Sequence, residues 1–111
     1  MRHDRSFLLD IAQAAKRIME FKGDMVFEAF LSDEKTQSSI IHQLLIIGEA
    51  TKLLSDEFKS AHPHIPWQAI SRMRDKLIHH YHGIDLQEVW DTCQSDIPEL
   101  IAFLEPFLPE E

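Results

Sequence analysis

With 111 residues, 44% of them apolar, and only three glycines and five prolines, the chain has material for one modest core and favours helix over sheet. A formal charge of -8 argues against a general nucleic-acid coat, because nonspecific affinity for phosphates comes from Lys and Arg; any such contact must be local. A lone Cys93 excludes an intramolecular disulfide, and no apolar run approaches the roughly 20 residues that span a bilayer.

The start, Met1-Arg2-His3-Asp4-Arg5, lacks the apolar block of a signal peptide, so a soluble cytoplasmic protein without membrane contact is expected. The first helix is predicted to begin after Asp4 or Ser6. Phe7, Leu8, Ile11, Ala15, Ile18 and Met19 recur along it at helical spacing, and Gly23 is its C-cap candidate. Met25 to Leu31 form a short apolar turn or helix between Asp24 and Ser32.

A long helix is predicted from about Asp33 to Phe58, and its wheel carries two apolar faces. Ile40, Leu44, Ile47, Leu54 and Phe58 lie on one side, Ile41, Leu45, Ile46 and Leu53 on much of the other. One face suits the core of the chain, the other a second subunit, and the expectation is a homodimer through Ile41, Leu45 and Leu53. Gly48 in mid-helix costs roughly 1 kcal/mol against Ala, which points to close approach of another helix there. Glu49 sits beside it, between Leu45 and Leu53 on the second face.

Ser60-Ala-His-Pro-His-Ile-Pro66 reads as a loop, with Pro66 suited to the first position of the next helix. That helix carries Trp67, Ile70, Met73, Leu77 and Ile78 and should stop near Tyr81, ahead of Gly83. Asp85 then caps a last helix, with Glu88 three residues on completing the capping pattern. Val89, Trp90, Ile97, Leu100, Ile101 and Leu104 form its core side, and Pro98 should kink or restart it. The expected architecture is all-α, an up-and-down bundle of four to five helices in a single domain, 1–111.

From Arg72 to His82 the chain reads Arg-Met-Arg-Asp-Lys-Leu-Ile-His-His-Tyr-His, the one basic island of an acidic sequence. Arg74 and Tyr81 fall within the apolar sector of the wheel, about 20° apart. A guanidinium placed there costs several kcal/mol unless partners or an anionic ligand meet it. His79 lies about 140° round from Arg74, so either the helix loosens by His79 or a site forms across two chains. Plainer readings stand beside the functional one: a salt bridge from Arg74 to a carboxylate such as Glu49, histidines favoured by the helix dipole, and a core tyrosine at Tyr81.

Arg74-Asp-Lys-Leu-Ile-His79-His-Tyr81 resembles the R-x4-H-x-Y signature of HepT-like proteins in the HEPN superfamily. The following His-Gly-Ile-Asp85 and the earlier Ile46-Ile-Gly-Glu-Ala50 are similar to the same family. The resemblance implies a HEPN-like helical bundle that dimerises, sets two motifs in one cleft, and cleaves RNA without metal or cofactor as the toxin of a toxin–antitoxin pair. It also implies an antitoxin of the minimal nucleotidyltransferase type, which silences the toxin by transferring AMP to the motif tyrosine, here Tyr81. The residue types suit that chemistry. A histidine takes the 2'-hydroxyl proton or protonates the leaving 5'-oxygen, an arginine stabilises charge on the phosphorane, and two copies supply one base and one acid. Glu49 is a candidate for orienting Arg74 or His79.

The competing class is a non-catalytic helical partner subunit of a nucleotidyltransferase, which the acidic balance suits. A metal site of His79, His80 and His82, with His62 or His64, is a third reading. Adjacent helical histidines diverge by about 100° and no Cys or paired carboxylate completes a set, so no metal is expected.

Overall fold

The computed structural model describes residues 2–108, with only the backbone described at Arg2 and Tyr81. Its described residues form helices and no strands: α1 (Arg2–Lys22), α2 (Phe27–Leu31), α3 (Glu34–Leu53), α4 (Asp56–Ala61), α5 (Trp67–His79), α6 (Leu86–Asp91) and α7 (Ile97–Leu104). The π-helical turn Thr92–Asp96 joins α6 to α7 without a break, so four rods, α1, α3, α5 and α6–α7, make the bundle. The two short helices close its ends. This is the all-α bundle expected of the pattern.

Helix α1 packs on α3 and α7, and α3 packs on α5. Ile11, Ala15 and Ile18 from α1 meet Ile40, Leu44 and Ile47 from α3 in one apolar core, joined by Phe30, Trp67, Leu77, Val89, Trp90, Ile97, Leu100 and Leu104. Gly23 ends α1 in the left-handed region at φ 51, its N–H donating to the Met19 carbonyl at 2.9 Å, as a C-terminal glycine should. Asp85 caps α6 by accepting from the N–H groups of Gln87 and Glu88.

Several boundaries differ from the expected ones. Helix α1 already runs from Arg2, and Asp4 is buried within it rather than capping it. Its carboxylate accepts from the backbone N–H of Ser55 at 2.8 Å and from the Ser55 hydroxyl at 2.6 Å. Ser55 Oγ in turn caps α4 by accepting from the N–H of Phe58 at 3.0 Å. The expected long helix therefore ends at Leu53, turns at Leu54, and restarts as α4, so Phe58 belongs to a separate element. The same contact sets the start of α1 against the end of α3, making the two antiparallel.

Pro66 occupies the cap position of α5 rather than its first turn. Ile78, one of the apolar residues carried by α5, is 44% exposed. Glu88 is bound by Lys76 Nζ at 3.2 Å across the α5–α6 junction, which takes its carboxylate away from the capping pattern. Pro98 cannot donate to the carbonyl four residues back, and the helix accommodates it by widening into the π turn just before it.

Candidate active site

Gly48 determines how α5 lies on α3. A side chain there would begin 2.7 Å from Cγ of Arg74 and closer still to its Cβ, so only a glycine lets the Arg74 backbone and stem rest directly on the α3 helix. Once seated, the Arg74 side chain is 25% exposed. Its Nη2 pairs with Glu49 Oε2 at 2.8 Å, and its Nη1 donates to Asp75 Oδ1 at 3.1 Å. The same Asp75 oxygen accepts from Lys52 Nζ at 2.6 Å. The hydrogen bond from Lys52, followed by that from Arg74, holds the Asp75 carboxyl below its ordinary range.

The cost expected of a lone guanidinium on an apolar face is therefore met by two carboxylates, one from each helix. Glu49 pairs with Arg74, the salt bridge offered above as the plainer reading, and among the described residues no hydrogen bond or ion pair joins it to His79. The pattern along α5 alone points to neither Asp75 nor Lys52. The signal for Lys52 was present: it lies one turn beyond Gly48, and so on the α5-facing side of α3.

His79 is exposed and ends α5. The helix stays α-helical through it: the His80 N–H still donates to the Lys76 carbonyl at 2.9 Å, and only then does the chain tighten into the 3-10 turn Tyr81–Gly83. Loosening before His79 is thus ruled out as a means of bringing it to Arg74, and among the described residues the two make no contact. The ideal-wheel position of Tyr81 does not apply, because Tyr81 lies beyond the end of α5; its side chain lies outside the described residues.

His62 and His64 precede α5, whereas His79, His80 and His82 follow its main body, so the length of α5, about 18 Å, separates the two groups. His62 stacks instead among Phe58, Phe103 and Phe107, with ring centroids 4.5 to 5.5 Å away. Among the described residues no three His, Cys, Asp or Glu side chains gather as a metal-binding group. Cys93 is fully buried, and burial pushes its thiol up to about 12, which leaves it inert as a nucleophile.

The apolar residues of this region are covered to different degrees. Ile41, Leu45 and Ile46 of α3 are half-buried, while Leu53 of α3 and Ile78 of α5 are 55% and 44% exposed. Among the described residues no helix is long and apolar enough to cross a membrane.

Residues 11–107 match the family described as Ribonuclease HepT-like. A Thermococcus cleftensis protein named "Probable ribonuclease HepT" is 50% identical over 99 residues, covering 89% of this chain and 90% of that protein. A Methanocaldococcus jannaschii protein, provisionally named an RNase, is 42% identical over 106 residues, with 96% of this chain and 88% of the relative covered. Another of that kind, from Caldanaerobacter subterraneus subsp. tengcongensis, is 37% identical over 111 residues, covering 100% of this chain and 99% of the relative. No solved structure matches significantly.

Proposed function

Since the chain belongs to the HepT-like ribonuclease family, we propose that it is a metal-independent endoribonuclease, the toxin of a toxin–antitoxin pair, acting as a homodimer. The observation that carries this reading is the placement of Arg74 and His79 on one regular helix. Arg74 is pinned at Gly48 between Glu49 and Asp75, and His79 stands exposed five residues on, about 140° round the axis. One chain then offers a fixed cation and one proton-transfer group. Cleavage by 2'-hydroxyl attack needs both a base and an acid, and a second copy supplies the missing one.

In this reading one His79 removes the 2'-hydroxyl proton while the partner's His79 protonates the departing 5'-oxygen, leaving a 2',3'-cyclic phosphate. Arg74 stabilises the charge that gathers on the phosphorane oxygens. Glu49 keeps the guanidinium in a single orientation. Tyr81, in the turn straight after the motif histidine, is the site at which a nucleotidyltransferase antitoxin transfers AMP, and the added bulk and negative charge block the RNA path.

Single-stranded RNA incubated with the purified chain in EDTA tests the reading. Cleavage with cyclic phosphate ends is expected, while DNA survives, and Arg74→Ala and His79→Ala each lower the rate by roughly a hundredfold or more. Undiminished cleavage in both variants, or cleavage only with added divalent metal, would replace it with the adaptor reading, in which the chain is a non-catalytic partner of the nucleotidyltransferase. Mass spectrometry of the chain co-expressed with its antitoxin should find AMP on Tyr81. An adduct elsewhere removes that part of the proposal.

A further inference from the structure

The acidic chain concentrates its useful positive charge, and the fold adds to the basic segment one cation that segment does not contain. Lys52 comes from α3, yet its Nζ shares a single Asp75 oxygen with Arg74 Nη1, at 2.6 and 3.1 Å. Two cations bound to one oxygen stand within about 6 Å of each other, given hydrogen bonds of ordinary length. Lys52 and Asp75 are well exposed, at 38% and 41% of their side chains. An ion pair open to solvent in this way contributes about 0 to 1 kcal/mol to the fold, so stability gives little reason for it.

We infer that Lys52 is an RNA-binding residue, which takes the backbone phosphate flanking the one held by Arg74, with Asp75 keeping the two cations in register until RNA arrives. The inference rests on the ribonuclease reading for the identity of the ligand. Lys52 itself supplies one phosphate contact from α3. Lys52 is three residues past Glu49 and one turn past Gly48, so the same seating of α5 on α3 that fixes Arg74 also fixes the spacing of the two cations. A lysine suits the role, being a compact charge on a flexible stem that can leave a carboxylate for a phosphate without needing forked geometry.

The test is binding and cleavage of a short fluorescent single-stranded RNA over a salt series, by the whole chain and by Lys52→Gln and Lys52→Arg. For Lys52→Gln the expected result is roughly five- to tenfold weaker binding irrespective of RNA sequence. The slope of log affinity on log salt should fall by about 0.7, the amount for one single-strand phosphate contact. The loss should appear in KM rather than kcat, and Lys52→Arg should restore both affinity and slope. An unchanged slope for Lys52→Gln overturns the inference, as does a loss confined to kcat or one that follows a lowered melting temperature. Failure of the ribonuclease reading looks different. RNA that binds with the expected slope change yet is never cleaved leaves Lys52 assigned and removes the catalysis. Absence of binding by the wild-type chain removes both.

Discussion

A methyl group on Gly48 would press into the stem of Arg74 where it lies flat on α3, and the nearest atoms are Cβ and Cγ rather than a mobile tip. Gly48→Ala should therefore lose about 1 to 3 kcal/mol by overpacking, even though alanine is the better helix former. Because the displaced residue is Arg74, RNA cleavage should fall further than the melting temperature suggests; thermal melts and a cleavage assay on the same preparation check both. Arg74→Ala should differ. Its partners Glu49 and Asp75 are open to solvent, so removing the cation should change stability by less than about 1 kcal/mol while abolishing most activity. At this scale much was legible in the sequence. A mid-helix glycine announced a close approach, and an arginine on an apolar sector announced a need for partners, one of them Glu49. The wheel did not reveal that Asp75 would be shared with Lys52, since nothing in one helix's sequence fixes how its outer face registers with the next. Its angle for Tyr81 does not carry over, because a wheel holds only as far as the helix continues and Tyr81 lies in the 3-10 turn beyond it.

The break between α3 and α4 was half legible. Ser55 ahead of Asp56 and Glu57 is a local start signal, but the apolar period runs on to Phe58, and the residue that receives Ser55 is Asp4, 51 positions earlier. The Asp4 carboxyl is opposed by burial, which works to raise it, but the hydroxyl and backbone N–H of Ser55 outweigh this and hold it below its ordinary 3.8. Asp4→Ala should cost roughly 1 to 3 kcal/mol at neutral pH, because it leaves two donors of Ser55 without their acceptor. A carboxyl lowered in the folded state contributes its stability above the unfolded value and loses it as pH falls through the folded one. The gap in stability between wild type and Asp4→Ala should thus be full near pH 7 and shrink below about pH 4; denaturant titrations at both pH values measure it. At the other end of the chain Pro98 announced a disturbance in the last helix, and the sequence could not say whether that helix would bend, stop or widen. It widens, since a π turn keeps the rod continuous and Ile97, Leu100 and Leu104 in the core.

For the molecule as a whole, the two apolar faces read along α3 are covered unequally: Ile40, Leu44, Ile47 and Leu54 are buried, Ile41, Leu45 and Ile46 are half-buried against the same core, and Leu53 is exposed. Ile78, on the same helix as Arg74 and His79, is exposed as well. Such surface beside a half-complete site fits a second copy of the chain, and Leu45→Glu should convert a dimer into monomer or insoluble protein, as read by light scattering at micromolar concentration. A wild-type monomer under those conditions would count against the paired site. The paired site itself is tested most directly by a dimer of one wild-type chain and one His79→Ala chain, purified through two different tags and given single-stranded RNA in EDTA. If one His79 serves as base and the other as acid, this mixed dimer cleaves almost as poorly as the dimer with both histidines removed, although half its histidines remain. Half of the wild-type rate would instead mean that each chain works alone, and would contradict the account.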